Sequence, residues 1–164
     1  MSKAIICGFL LTLCGLVQPA FAQDKPSWLR EVELLLRKEP RWRVQEVQAL
    51  GVPELFNETI ILKSGPLRAD VSIGIRRSAE WAKDEFEQGR IAFTDISRKT
   101  SRQSRLPDLG DDNYMLVGKK KRNGSIFFRK DNVLVTVFAP SVETAKRFAR
   151  YVADRIPPLT GSFE

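Results

Sequence analysis

The stretch Tyr114-Met115-Leu116-Val117-Gly118-Lys119-Lys120-Lys121-Arg122-Asn123-Gly124-Ser125-Ile126-Phe127-Phe128-Arg129-Lys130-Asp131-Asn132-Val133-Leu134-Val135-Thr136-Val137-Phe138 decides the fold. It reads as a meander of three strands. Tyr114 to Val117 is the first, and Asn123-Gly124 is the strongest short-range hairpin signal a sequence offers. Ser125 to Arg129 returns, Lys130-Asp131-Asn132 turns again, and Val133 to Phe138 is apolar enough to be buried on both faces. Pro140 and Ser141 then open a helix with apolar positions Val142, Ala145, Phe148, Ala149, Val152 and Ile156. Pro157-Pro158 ends it.

Upstream, a similar unit precedes the meander. Ala69, Val71, Ile73 and Ile75 alternate with Asp70, Ser72, Gly74 and Arg76, which predicts a strand with one buried and one wet face. Ser78 caps a helix with an inner side of Trp81, Ala82 and Phe86. Before this strand, Ile60, Ile61 and Leu62 form another, closed by the Gly65-Pro66 turn. A helix is expected from Trp28 to about Lys38, capped by Ser27 and stopped by Pro40, with Trp28, Leu29, Val32, Leu35 and Leu36 facing inward. Arg41 to Leu50 fits either a strand or a helix.

Both later helices begin Ser-x-Glu-x-Ala-Lys, at Ser78 and at Ser141. Serine accepts a backbone N–H at a cap, and glutamate in the first turn meets the positive helix end. That local cause acts at any helix start, so duplication of a strand-then-helix half is one reading and capping alone the other. Residues 98–113, rich in Ser, Arg, Asp, Pro and Gly, read as a surface loop between the halves. The expectation is an α+β fold: a mainly antiparallel sheet of about five to six strands with helices packed on one face, open to two related strand–helix halves.

The first 22 residues read as a cleaved secretory signal. Lys3 gives the positive start, Ala4 to Val17 is nearly unbroken apolar chain, and Ala20-Phe21-Ala22 offers the small residues of a cleavage site. The run is short of the ~20 residues that span a bilayer, and no later segment is expected to cross one. Leu13 stands before Cys14 where a lipoprotein signal needs a small residue. The remaining residues, 23–164, suit a single domain, periplasmic or secreted. Removing the leader takes away Lys3 alone and leaves 26 basic against 20 acidic residues, a net charge of +6.

Several kinds of chemistry are excluded by residue type. Histidine is absent and both cysteines lie in the leader. The mature chain therefore has no imidazole base, no thiolate nucleophile and no disulfide, and lacks the usual zinc ligands. No glycine-rich phosphate loop or dinucleotide fingerprint is present. No catalytic residue, metal site or cofactor is expected. Glu80, Asp84, Glu85 and Glu87 are interleaved with Lys83 and Arg90, as on a solvated helix face. Asp108, Asp111, Asp112 and Asn113 lack the spacing of a calcium loop and read as a turn. Trp28, Trp42, Trp81, Phe86, Phe128, Phe138 and Phe148 are assigned to the core, with Phe127 facing away from Phe128 as an exposed contact.

Leu109-Gly110-Asp111, Tyr114, Gly124, then Phe128-Arg129-Lys130-Asp131-Asn132-Val133-Leu134-Val135 and a final helix resemble a pattern in small secreted bacterial domains. These include lipoproteins and extracytoplasmic sensor domains related to the photosystem II extrinsic-subunit-like superfamily. Members often carry glycine where Asp131 stands here. The resemblance covers roughly residues 109–156, a third of the chain, through a loop-strand-helix pattern. It implies an α+β sandwich and a binding or accessory role. Those domains share no catalytic motif, so it assigns no functional residue.

The most specific feature is the run Lys119-Lys120-Lys121-Arg122 at the hairpin. Arg98, Lys99, Arg102 and Arg105 lie in the preceding loop. If loop and hairpin meet, all eight cations form one anion-binding patch. The expected function is an exported, non-enzymatic binding or accessory domain whose partner is an anionic envelope component or an acidic protein. Nucleic acid is not expected outside the cytoplasm. Two alternatives stay open: a carboxylate-dependent cell-envelope hydrolase, and a protein-interaction domain using an exposed sheet face. The same lysines would also protect an exposed sheet edge from pairing. Oligomeric state is not legible.

Overall fold

A computed structural model describes residues 25–52, 55–97, 100–119 and 123–158. The expected leader, Met1 to Ala22, lies outside them. The elements run α1 (Ser27–Arg37), β1 (Arg43–Val52), β2 (Leu55–Ser64), β3 (Leu67–Arg76), α2 (Ala79–Ser97), β4 (Ser101–Ser104), β5 (Asp112–Gly118), β6 (Gly124–Lys130), β7 (Val133–Ala139) and α3 (Val142–Ala153). The α+β expectation holds. The sheet has seven strands rather than five or six, all antiparallel, in the order β1-β2-β3-β7-β6-β5-β4.

The extra strands come from two segments that do not alternate cleanly. Arg43 to Val52 is a strand, with a register shift between Val44 and Glu46. Such a bulge breaks the period-two pattern and explains why the segment fits two templates. Ser101 to Ser104 is polar throughout and is held as a strand only by pairing with Met115 to Gly118. The expected loop 98–113 is therefore part strand.

Two hairpins have two-residue turns. Gly65-Pro66 joins the paired Ser64 and Leu67, with Gly65 at φ +57°. Asp131-Asn132 joins the paired Lys130 and Val133, with Asp131 at φ +54°, in the left-handed region glycine favours. Asn123-Gly124 is not a tight turn: Gly124 pairs with Val117 as the first residue of β6, and Gly118 N–H donates to the Asn123 carbonyl at 3.0 Å. Gly124 is small for another reason. A Cβ there would lie 2.8 Å from the Val142 Cα, so α3 starts directly against it.

Helices lie on both faces of the sheet, not on one. α1 and α3 bury Leu29, Val32 and Leu36, and Ala145, Phe148, Ala149 and Val152, against Val71, Ile73, Ile126, Phe128, Val135 and Val137. Each of the Leu, Ile, Val and Phe side chains contributes ~1.5–3 kcal/mol on leaving water. Tyr151 on α3 donates to Glu39 just after α1, which raises the Tyr151 pKa. Lys130 Nζ donates to the Ala153 and Ile156 carbonyls, both at 2.9 Å, placing a cation at the negative end of α3. α2 covers the opposite face, packing its Phe86 with Tyr114, Leu116 and Phe127 of the sheet.

This arrangement bears on the internal repeat. The two matching strands pair with each other, Ile73 opposite Val135. A two-fold axis normal to the sheet would send both following helices to one face, yet they take opposite faces. Capping alone accounts for the match: Ser78 Oγ accepts from Trp81 N–H, and Ser141 Oγ accepts from Thr144 N–H, each at 3.2 Å. α1 differs from expectation, because Pro26 is its cap and no side chain bonds there.

Candidate functional site

The first candidate is the end of the sheet where β4 meets β5. Arg102 pairs with Val117, and Lys119 N–H donates to the Thr100 carbonyl at 2.9 Å. Two segments far apart in sequence thus run side by side. Arg102 and Arg105 are exposed, and among the described residues neither has an ion-pair or hydrogen-bond partner. Of the eight predicted cations, Arg102, Arg105 and Lys119 are described. Arg98, Lys99, Lys120, Lys121 and Arg122 lie outside the described residues.

Directly opposite residues on paired strands share a face. Arg102 therefore lies on the side of Val117, the α3 side, whereas Gln103 lies on the α2 side and accepts from Thr94 Oγ1 at 3.3 Å. On the α3 side, Leu106, Pro107 and Leu109 line a cavity of about 200 Å³ with Lys146 and Arg150. These two cations sit one helical turn apart on α3. Sequence reading missed them because their alignment with the loop is tertiary.

The acidic loop beside this corner directs its side chains to Arg129 and to its own backbone. Asp111 and Asp112 both bind Arg129, at 3.0 and 2.7 Å, and Asp111 also accepts from the Asp131 N–H. Asn113 accepts from the Leu106 N–H and donates to the Leu106 and Leu109 carbonyls. These bonds are those of a turn locked by its own Asx side chains.

The second candidate is a cavity of about 410 Å³ between α2 and the sheet. Its floor is a row crossing five strands: Thr59 pairs with Ser72, Ser72 with Thr136, Thr136 with Phe127, and Phe127 with Tyr114. Thr59, Ser72 and Thr136 make one end of the row hydroxyl, and Phe127 and Tyr114 make the other aromatic. Thr59 and Ser72 hydroxyls bond each other at 3.0 Å. Tyr114 and Phe127 stack at 4.6 Å, Phe86 lies 5.5 Å from Tyr114, and Phe93 lies 4.6 Å from Phe127. Burial raises the Tyr114 pKa far above its ordinary value. Phe127 does face away from Phe128, but into this cluster rather than into solvent. Trp81 and Phe138, assigned to the core by sequence, are 41 % and 38 % exposed. The Arg77 guanidinium lies 5.6 Å from the Trp81 ring.

At the polar end of the cavity, Arg76 Nε and Nη2 donate to Glu85 at 2.6 and 2.7 Å, and Nη1 donates to Asn57 at 3.0 Å. Gly74 leaves the space this guanidinium occupies: a Cβ would lie 2.6 Å from Nη1. Glu58 borders the cavity by its backbone position only, since its carboxylate binds Lys25, which also binds Glu33 near α1. A hydrolase using two carboxyls needs them facing across a groove. Here Glu85 is engaged by Arg76 and Glu58 is engaged by Lys25.

No family model matches the chain, and no curated protein is significantly similar to it. Among solved structures, a GTP binding regulator from Thermotoga maritima is similar at 11 % identity, over 79 % of this chain and 90 % of that one, with a TM-score of 0.43. No helix among the described residues is long and apolar enough to cross a membrane.

Proposed function

We propose that the chain is an exported, non-enzymatic binding or accessory domain that engages an anionic partner through the β4–β5 corner. The observation that carries this reading is the Lys119–Thr100 backbone bond. It joins the loop segment and the hairpin segment at the point where each continues into further cations of the sequence. Arg102, Arg105, Lys146 and Arg150 supply additional positive charge to the same half of the sheet. The partner is an anionic envelope component or an acidic protein.

Edge protection explains the corner less well. The strand leading into Lys119 is interior, flanked by β4 and β6, so edge protection accounts for Arg102 on the edge strand β4 and not for the hairpin cations that follow β5. Two-carboxylate hydrolysis is also less well supported, because the carboxyls at the larger cavity are engaged by Arg76 and Lys25.

The test is co-sedimentation of residues 23–164 with vesicles containing phosphatidylglycerol, at low and high salt. Each cation near an anionic surface contributes ~1 kcal/mol, screened by salt. Reversing Lys119, Lys120, Lys121 and Arg122 to Glu is expected to abolish salt-sensitive binding. Unchanged binding by the reversed chain overturns the reading.

A further inference from the structure

The cavity under α2 has features that packing alone does not require. Gly89 stands in the middle of a 19-residue helix, where glycine is less favourable than alanine by about 1 kcal/mol. Mid-helix glycines usually permit close approach of a neighbouring element. Nothing lies within 4 Å of a Cβ built at Gly89. The missing side chain brings no element closer; it leaves the cavity open. The floor below it is also built of small residues, Ser72 and Thr136, beside Gly74, whose missing side chain makes room for the Arg76 guanidinium.

The lining is divided in a way that specifies an occupant. The aromatic half offers stacked rings, and Leu134 extends that apolar surface. The hydroxyl half offers Thr59, Ser72 and Thr136; the Thr136 hydroxyl has no partner among the described residues. The charged groups facing the cavity, Arg76 and Glu85, neutralise each other in a two-point bond. The site therefore has no net charge to attract an ion. Its size falls in the range of ligand pockets, ~300–1,000 Å³.

We infer that this cavity is a binding site for a small uncharged ring compound, its apolar face against Phe127 and Phe93 and its hydroxyl or amide groups toward Ser72 and Thr136. It lies on the face of the sheet opposite α3 and is independent of the basic corner. The aromatic rings supply offset stacking. The Thr136 hydroxyl supplies a hydrogen bond that it makes to none of the described residues.

The experiment is a titration of the 15N-labelled chain with benzamide, benzyl alcohol and phenyl glucoside, each against benzoate and benzylammonium as charged controls. Saturable shifts of the Ser72, Gly74, Gly89 and Thr136 amides are expected with the neutral compounds and not with the charged ones. Gly89→Leu places a side chain in open space on a helix that accepts leucine well, so it fills the site while keeping the fold. It is expected to abolish the shifts. Thr136→Val is expected to weaken binding about fivefold, the effect of one neutral hydrogen bond. Charge reversal at Lys119 is expected to leave the shifts unchanged, which separates this site from the basic corner. No saturable shift with any neutral compound, equal binding of the charged controls, or unaltered binding by Gly89→Leu each overturns the inference.

Discussion

Arg76 grips Glu85 with two hydrogen bonds, Nε at 2.6 Å and Nη2 at 2.7 Å, and so fastens α2 to the interior strand β3. The guanidinium is 8 % exposed and the carboxylate 43 %. Removing the carboxylate leaves a buried cation with Asn57 as its remaining side-chain acceptor. Because Glu85 is partly solvated, the loss is smaller than for a fully buried pair. Glu85→Ala is expected to destabilise by about 1–2 kcal/mol, read as a lower urea midpoint with unchanged slope. Arg76→Met, which removes the charge instead of stranding it, is expected to cost less. The reverse ranking contradicts this account of the pair.

Two glycines should respond oppositely to alanine. At Gly124 the added methyl meets the Val142 Cα at 2.8 Å and the Ala145 Cβ at 3.1 Å, so α3 must move away from β6. A loss of about 1–3 kcal/mol is expected. At Gly89 the methyl meets nothing, and helix propensity alone predicts a gain of about 0.5–1 kcal/mol. Thermal unfolding of the two variants reads both signs.

The buried carboxylate at Glu58 sets a pH dependence. Burial holds its pKa above the ordinary 4.5, although Lys25 donates to it at 2.8 Å and pulls it down. The folded state then binds more protons than the unfolded chain between pH 4.5 and the raised value. Stability from this group is fully present below that window and is lost as pH rises through it. Glu33 acts oppositely. Lys25 donates to it and lowers its pKa, so its contribution is lost as pH falls below 4.5. Urea midpoints of Glu58→Gln against the parent should move in the variant's favour as pH rises from 4.5. Parallel curves count against the assignment. Lys25→Met, which removes the lowering partner, should steepen the parent's decline.

Much of the architecture is legible in local pattern. The alternation at Ala69, Val71 and Ile73, the Gly65-Pro66 turn and the Ser141 cap each have a local cause, and each appears where expected. What is not legible is tertiary. Asp70, Ser72, Gly74 and Arg76 read as a wet face because they are polar or small; α2 covers that face and turns Ser72, Gly74 and Arg76 into cavity lining. The apolar residues Trp81, Ala82, Phe86, Ile91 and Phe93 are spread around α2, so one helix face does not stand out, and Trp81 ends exposed. β4 has no apolar residue to announce it. At the basic corner, the residue types are plain in sequence, whereas the adjacency of Thr100 and Lys119 comes only from strand pairing.

That adjacency is the part of the account most exposed to experiment. The decisive measurement is retention of residues 23–164 on a polyanionic resin across a salt gradient, comparing the parent with a loop variant, Arg102→Glu/Arg105→Glu, and a hairpin variant, Lys119→Glu/Lys121→Glu. Counterion release makes affinity fall steeply with salt in proportion to the charges engaged. If the two segments form one surface, each variant alone elutes earlier and shows a shallower salt dependence than the parent. Parent retention that ignores salt, or a loop variant that elutes with the parent, contradicts a shared electropositive face.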